Sequence, residues 1–376
     1  MTAEPPTLKS VSLLIEDCLH ATAPVVEEGI PLIRTPNIGK GRLDLNGVFR
    51  VTEDIYEKWT RRVVPQDGDL ILAREAPAGN VAIVKNGDKV CLGQRTVLIR
   101  PDPDKVDPDF LCYYLLAPKQ QGFLLSGATG VTAAHVNMKD IRRLPLVDMP
   151  KLDGQKRAGA LLAAYDELLE NNRRRMRLLE EAARLLYREW FVRLRFPGHE
   201  HARITNGIPE GWERVPLGQR VTLNYGKSLK AEERIDGPFP VYGSSGIIGS
   251  HEKPLTNGPG IILGRKGNVG SVFWSSKDFY AIDTVYFVDA QTSNLYLFYA
   301  LKDMHFISTD VAVPGLNRDL AYSRPLLVPS KSVLREFLAI VSPIHQQLDK
   351  LEEMNQKLRA ARDLLLPRLM SGEIAL

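Results

Sequence analysis

The sequence predicts an α+β fold in which two mostly-β modules are joined by two long antiparallel helices that form a coiled coil. Three observations predict it. The chain has 376 residues, enough for two or three domains. It contains two long heptad patterns, and the segments before them hold short β-branched runs interrupted by Gly, Pro, Asn and Asp. Because this order occurs twice, we expect an internal repeat with pseudo-two-fold symmetry.

The composition is that of a globular protein. Charged residues make up 25% of the chain and hydrophobic residues 44%, which excludes wholesale disorder. Lys and Arg number 49 against 45 Asp and Glu, a mild excess that allows nucleic acid as a partner without requiring it.

Cysteine usage and hydropathy bear on the compartment. The chain has three cysteines, Cys18, Cys91 and Cys112, without C-x-x-C spacing. This pattern argues against a disulfide framework or zinc cluster and favours buried thiols in a reducing cytoplasm. The sequence has neither a long apolar run nor a secretion signal at residues 1–10, so we expect a soluble, cytoplasmic protein without a membrane partner.

The first heptad pattern has steps of three and four residues and predicts one long helix. Its positions are Leu162, Tyr165, Leu169, Asn172, Met176, Leu179, Ala183, Leu186 and Trp190. The second pattern has the same steps at a constant offset. Its positions are Val341, Ile344, Leu348, Leu351, Asn355, Leu358, Arg362, Leu365 and Leu369.

Neither helix can bury such a seam alone, so we expect the two to pack against each other in antiparallel orientation. This pairing places Asn172 opposite Asn355, where the two amides satisfy each other. It also places Trp190 near Phe337 and Ala183 near Ile344. The predicted core of the seam is Leu162, Leu169, Asn172, Leu179, Leu186, Ile344, Leu348, Asn355, Leu358 and Leu365. The alternative is a coiled coil with another protein.

The predicted domains are residues 1–150 and 196–330 for the two modules, with the linker in the latter, and 151–195 and 331–376 for the long helices. Each module should contain one buried helix, at residues 110–117 and 295–301. Ser342 and Pro343 form a good N-cap and first-turn pair, which predicts that the second long helix starts afresh there.

The two modules also share shorter sequence motifs. Residues 70–74, ending in Arg74, pair with residues 260–265, ending in Arg265. On sequence similarity, residues 79–81 pair with residues 267–269, since both read Gly-Asn-Val.

With these residues in view, the chain resembles the DNA-specificity subunit of type I restriction-modification enzymes. The resemblance covers essentially the whole chain. Its motifs are Pro-Glu-Gly-Trp at 209–212, the phrases at 239–249 and 264–270, Gly-Ile-Pro-Leu-Ile-Arg at 29–34, and the loop at 126–130 ahead of Asn137.

The resemblance implies two target-recognition domains, each reading one half of a bipartite double-stranded DNA site, with the helices as spacer. It implies that this chain is non-catalytic and binds no cofactor. Adenine methylation would belong to two methyltransferase subunits that bind S-adenosylmethionine. Translocation and cleavage, with ATP and Mg, would belong to restriction subunits.

Candidate DNA-binding residues are basic, amide or hydroxyl side chains in loops, because these side chains contact bases and phosphates. In the first module they are Arg34, Asn37, Lys40 and Arg42, together with Arg74, Thr129 and Asn137 from the shared phrases. In the second they are Tyr225, Lys227, Ser228, Lys230, Ser244, Ser245, Arg265, Lys266 and Asn268. An ordinary solvated loop remains the alternative for the first set.

Other motifs have a plainer interpretation. The Gly-rich residues 264–270 precede a strand pattern, so a hairpin that presents Arg265 and Lys266 is favoured over a nucleotide-binding loop. His-Glu-His at 199–201 has no third ligand nearby and is read as linker, so no metal site is predicted. The basic run at 173–177 is a solvated helix face, a phosphate contact or a surface for an acidic partner.

Two functions of other classes compete with DNA recognition. One is a stand-alone enzyme that uses the Gly-rich loops, although no nucleophile, base and acid arrangement is recognisable and no catalytic residue is predicted. The other is a coiled-coil scaffold or adaptor between protein partners, which the doubled module disfavours because a scaffold needs no paired readers.

Overall fold

The computed structural model describes residues 4–85, 87–126, 135–304, 306 and 315–374. The chain divides into two compact units. The first comprises Met1–Arg173 and Met354–Leu376, and the second comprises Arg174–Glu353. Each unit therefore takes one part of each long helix together with one module.

The first unit contains two small sheets. Its strands are β1 (Ser12–Asp17), β2 (Ile30–Ile33), β3 (Gly41–Arg42), β4 (Arg50–Val51), β5 (Leu70–Ala73), β6 (Val81–Ile83), β7 (Cys91–Leu92) and β8 (Thr96–Pro101). One sheet has the order β1-β8-β5-β6-β3, and the other has the order β4-β2-β7. Every residue of β5 is buried, as its uninterrupted apolar sequence requires of a central strand.

Helices cover these sheets. They are α1 (Glu53–Trp59), α2 (Pro108–Leu116), α3 (Pro118–Ser126) and α4 (Met138–Arg143). The predicted buried helix is α2, which begins at an Asp107 N-cap whose carboxylate accepts the Phe110 N–H at 2.9 Å. Its buried residues pack with Leu8, Leu162 and Leu369 in one core, so the last helical residues of the chain help to close this unit.

The second unit repeats this plan. Its strands are β9 (Ile204–Thr205), β10 (Ile208–Pro209), β11 (Glu213–Pro216), β12 (Asn224–Tyr225), β13 (Phe239–Gly243), β14 (Gly246–His251), β15 (Gly260–Gly264), β16 (Val272–Ser275), β17 (Tyr280–Ala281), β18 (Val285–Val288) and β19 (Pro325–Val328). The order β12-β18-β15-β16 matches β1-β8-β5-β6, and β14-β13-β17 matches β4-β2-β7. The short helices are α6 (Leu295–Asp303), the second predicted buried helix, and α7 (Arg318–Tyr322).

The structure corrects one pairing of the repeat. The Gly79 N–H donates to the Ala73 carbonyl at 2.9 Å, and the Gly270 N–H donates to the Gly264 carbonyl at 2.9 Å. Both glycines have positive φ, 88° and 79°. Gly79 therefore corresponds to Gly270. The predicted pairing of residues 79–81 with residues 267–269 is wrong by three residues, because the hydrogen bond that closes each loop defines the equivalent positions and the shared Gly-Asn-Val tripeptide does not.

The long helices are α5 (Leu152–Tyr187), which continues as a π-helical turn at Arg188–Val192, and α8 (Lys331–Met370). In the first unit the Asn172 Nδ2 donates to the Asn355 Oδ1 at 2.9 Å, the pairing that the seam predicts. Both side chains are buried, with 4% and 0% exposure. Seven residues after Asn355, the Arg362 guanidinium pairs with the buried Asp166 carboxylate, which also accepts the Tyr113 hydroxyl at 2.7 Å.

In the second unit the same antiparallel register continues with apolar residues. The Trp190 and Phe337 rings lie 5.9 Å apart, as the pairing predicts. Ala183 is fully buried in the same cluster, and Ile344 packs against that cluster. All predicted seam positions are buried or half-buried.

The predicted restart of the second long helix at Ser342 and Pro343 is wrong. Helix α8 begins at Lys331, after Ser330, and passes through Pro343 without a break. A proline removes one helical hydrogen bond. The preceding turns are held by Val333, Phe337 and Val341, which are buried in the core of the second unit, and this packing outweighs the local N-cap preference.

The three cysteines are free and buried, as predicted. Burial raises the pKa of the Cys91 thiol to about 12, so it stays protonated. Among the helices of the described residues, none combines the length and apolar character needed to cross a membrane.

Replacing Asn172 with Ala should lower the free energy of unfolding by about 1–3 kcal/mol, because it removes a buried hydrogen bond to the Asn355 amide. Urea denaturation followed by circular dichroism measures this. The double change to Leu at both positions should recover much of the loss. The matched control is Asn171→Ala, at an exposed neighbouring position, which should change stability little. Equal effects at 171 and 172 would contradict the role of the amide pair.

Candidate nucleic-acid interface

In the second unit several loops meet at one end of the β12-β18-β15-β16 sheet. The loop from Arg265 to Ser271 connects β15 to β16 as a hairpin, as predicted. The Leu316 N–H donates to the Arg265 carbonyl at 2.8 Å, which attaches the start of α7 to this hairpin. The Ser271 hydroxyl donates to the Ser244 carbonyl at 2.6 Å, which attaches the β13-β14 turn.

Two arginines flank one tyrosine ring at this end of the sheet. The guanidinium carbons of Arg265 and Arg318 lie 5.1 Å and 5.2 Å from the centroid of the Tyr225 ring, which is 49% exposed. Arg265 also lies 5.7 Å from the Tyr286 ring, and its Nη1 donates to the Asp283 carbonyl at 3.2 Å. The contacts are cation–π interactions, which orient the guanidinia without neutralising them.

These side chains line an open cleft of about 340 Å³, together with Leu316, Asn317 and Asp319. Burial and a hydrogen bond with Tyr225 raise the pKa of Tyr286, which donates its hydroxyl to the Leu316 carbonyl at 3.1 Å. Tyr286 therefore stays neutral, and its hydroxyl is fixed by the Leu316 carbonyl.

The other predicted residues of this unit lie around the cleft or beside it. Lys266, Asn268 and Ser245 are exposed in the two turns, and the Asn268 N–H donates to the Ser244 hydroxyl at 3.4 Å. The exposed residues that follow β12 are Lys227, Ser228 and Lys230. The structure thus brings Tyr225, Arg265, Lys266 and Asn268 together with the turn of Ser244 and Ser245. It leaves Lys227, Ser228 and Lys230 in the segment that follows β12.

In the first unit the predicted loop residues occupy one connected surface. The exposed Arg34 places its guanidinium 4.9 Å from the centroid of the Phe49 ring, which is 50% exposed. Lys40 is exposed, and Arg42 is half-buried in β3. Asn37 has a local role: its Oδ1 accepts the Arg34 N–H at 3.1 Å, and its Nδ2 donates to the Asp44 carbonyl at 3.3 Å.

Arg74 differs from the other candidates because it is buried. Its Nη1 pairs with the Asp17 carboxylate at 2.7 Å, and its Nε donates to the Val136 carbonyl at 3.0 Å. His135 contacts the same guanidinium at 2.8 Å and the Glu75 carboxylate at 2.6 Å. In this arrangement Arg74 holds β1, β5 and the start of α4 together and faces no open surface, so the structure gives no support to its predicted DNA contact.

The remaining candidates are Asn137 and Thr129, and the counterpart of Asn137 in the repeat is Asn317. Asn137 precedes α4, and its Nδ2 donates to Asp140 at 3.4 Å. Asn317 precedes α7, and its Oδ1 accepts the Asp319 N–H at 2.7 Å. Thr129 lies outside the described residues.

The His-Glu-His segment forms a single exposed turn at His199–His201, where the His199 Nδ1 contacts the Phe196 carbonyl at 2.9 Å. Among the residues that the structure describes, no cluster of three or more His, Cys, Asp or Glu could hold a metal ion.

Sequence reasoning missed Arg318 and Tyr286 as site residues. Arg318 lies in a segment that the sequence marks only as part of the repeat. Its counterpart in the first module is Met138. Tyr286 lies in an apolar strand pattern and enters the cleft only because β18 pairs with β12, with Tyr286 opposite Tyr225.

The repeat seen in the fold is also a repeat of a known domain. The family model for the type I restriction modification DNA specificity domain matches residues 26–181 and again residues 209–356, which together are most of the chain. The chain belongs to this specificity family.

Relatives of this specificity chain carry the same description. The type I restriction enzyme MjaIX specificity subunit of Methanocaldococcus jannaschii is 24% identical over 360 residues, covering 87% of this chain and 82% of that protein. The type I restriction enzyme EcoBI specificity subunit of Escherichia coli is 26% identical over 147 residues, covering 38% of this chain and 31% of that protein.

A solved structure has the same fold. The crystal structure of the type I restriction-modification system S subunit from M. genitalium has a TM-score of 0.61 at 20% identity, covering 98% of this chain and 97% of that one. The predicted fold class is confirmed. So is the predicted function: the chain is a type I specificity subunit with two target-recognition domains, and the coiled-coil scaffold or adaptor is not favoured.

The different structural roles of Arg74 and Arg265 in this specificity subunit are testable. Arg74→Gln should destabilise the first unit by about 3 kcal/mol, because it removes the buried guanidinium that pairs with the Asp17 carboxylate and contacts the Val136 carbonyl. Arg265→Gln, the matched control, should cost about 1 kcal/mol or less in the second unit. Hydrogen exchange of peptides from β1 and β5, compared with peptides from β12 and β15, measures both. Equal loss of protection in the two units would contradict the assignment.

Proposed function

We propose that this specificity subunit recognises a bipartite double-stranded DNA site, with one half read by each unit. The supporting observation is the duplicated module with an arginine and a half-exposed aromatic ring on each copy. These pairs are Arg34 with Phe49, and Arg265 and Arg318 with Tyr225. Guanidinia suit both guanine edges and phosphates, and a half-exposed ring adds a stacking surface.

The long helices would set the separation of the two half-sites. Both α5 and α8 contain residues of both units, with the division after Arg173 in one helix and before Met354 in the other. Two DNA-recognition units on a stiff spacer suit a bipartite site in which two specifically contacted half-sites are separated by base pairs that are not recognised.

We assign no catalytic step to the chain and propose that it binds no cofactor. Two methyltransferase subunits would supply S-adenosylmethionine-dependent adenine methylation, and restriction subunits would supply ATP- and Mg-dependent translocation and cleavage. Such partners would share phosphate contacts, which accommodates a net charge of only +4 on this chain. A DNA-recognition subunit works where the DNA is, so we propose the cytoplasm as its compartment.

The deciding experiment is co-expression with its methyltransferase partner in a host that lacks N6-methyladenine, followed by single-molecule mapping of that base. We expect methylation at one bipartite motif with a fixed unread gap. The chain alone should give no methylation. A contiguous motif, or methylation by the chain without its partner, would contradict the proposal.

Single charge removals should affect one half-site each. Lys266→Gln in the second unit and Lys40→Gln in the first should each weaken binding of the complex about three- to tenfold, since each removes one exposed cation that would contact base edges in the half-site of its own unit. Scrambling the half-site that the altered unit reads should then lower the affinity of the variant by a smaller factor than it lowers the affinity of the wild type. Scrambling the other half-site should lower both affinities by the same factor. Equal behaviour at both half-sites would contradict modular reading.

Lengthening both helices should lengthen the unread gap. A seven-residue heptad inserted after Arg173 and another before Met354 leave the described contacts of each unit intact. They add about 10 Å of helix, or roughly three base pairs. Methylation mapping should show the same half-sites with a longer gap. An unchanged gap would refute the spacer role.

A further inference from the structure

The two units hold one arginine in the same backbone position. The Arg74 N–H donates to the Arg95 carbonyl, and the Arg265 N–H donates to the Thr284 carbonyl, both at 2.9 Å. Their own carbonyls accept equivalent N–H groups, from Val136 at 3.0 Å and from Leu316 at 2.8 Å. Arg74 and Arg265 therefore correspond to each other in the repeat.

The residue opposite this arginine differs between the units. Asp17 ends β1 and is paired with Val97 of β8, and Tyr225 ends β12 and is paired with Tyr286 of β18. The following N–H groups, of Cys18 and Gly226, each donate to the next strand at 3.2 Å. Asp17 and Tyr225 thus occupy equivalent positions, one with a carboxylate and the other with a neutral ring.

Whether Asp17 or Tyr225 stands opposite the arginine determines whether the charge of that arginine is neutralised. In the first unit the Asp17 carboxylate neutralises Arg74, whose side chain is 8% exposed. In the second unit, among the described residues, neither Arg265 nor Arg318 has a salt bridge. Of the residues that the structure describes, Asp319 is the one acidic residue lining that cleft. Two guanidinia on one ring repel each other, and an anion placed between them relieves the repulsion.

We propose that the cleft of Tyr225, Arg265 and Arg318 binds a phosphodiester group of the DNA backbone, which supplies the negative charge that the Asp17 carboxylate supplies in the first unit. The guanidinium forks match the paired oxygens of a phosphate, and the ring holds both cations in place before DNA arrives. A guanine edge carries no net charge and would leave the repulsion in place. This inference rests on the proposed function and assigns the cleft to positioning rather than to sequence reading.

The test uses the complete complex with its methyltransferase partner, a duplex with the mapped motif and duplexes with single base changes. Arg318→Gln and Arg265→Gln should each weaken binding about tenfold on every duplex, and each should lower the salt dependence of log Kd by about one. Tyr225→Asp should do the same, because the new carboxylate pairs with Arg265 as Asp17 pairs with Arg74. Tyr225→Phe should bind like the wild type.

Lys253→Gln is the matched control: it removes one charge from the same unit at an exposed lysine outside the cleft. Binding by the Arg318→Gln variant equal to that of this control would overturn the inference. A change of base preference at one position, with an unchanged salt dependence, would identify a base contact and would also overturn it. If the wild-type complex does not select the motif, the proposed function itself fails. Circular dichroism melting of each variant verifies folding, and Arg318→Gln, at an exposed side chain, tests the cleft even if Tyr225→Asp does not fold.

Discussion

The buried amide pair of Asn172 and Asn355 is the constraint on which the first unit depends. Two amides in an apolar seam favour the register in which they meet, since any shift breaks the hydrogen bond between them while both stay buried. In that register Arg362 reaches Asp166 and Leu369 enters the core. Asp166 in turn supports the module, because it accepts the Tyr113 hydroxyl and lies against Gly41, where an added Cβ would be 2.7 Å from its Oδ2.

Sequence reasoning predicted the features that periodicity encodes directly. The helical seam, its antiparallel register and the asparagine pair follow from spacing alone, because a seam of nine positions has few ways to be buried. Asp166 was missed because it lies one position away from the seam, where a charged residue is ordinarily solvated. The continuation of α8 through Pro343 was missed because the local N-cap preference is clear in sequence, whereas the core that overrides it comes from the module.

The interface was predictable in kind but not in detail. Arg74 and Arg265 are equivalent in sequence, and nothing local distinguishes a buried structural arginine from a half-buried one that lines a cleft. The distinction comes from Asp17 and Tyr225, which reach the arginines only through pairing with β8 and β18. A repeat can thus keep one backbone frame while its two copies use different side chains on the exposed side.

The division of the chain also orders its synthesis. The second unit is one continuous segment, Arg174–Glu353, whereas the first needs Met354–Leu376 to complete its core. On the ribosome the second unit can therefore finish folding while the first still waits for the last residues to emerge. A chain that stops at Glu353 would carry a complete second unit and an incomplete first unit. Two complete DNA-recognition units therefore require residues beyond Glu353, although the second unit by itself does not.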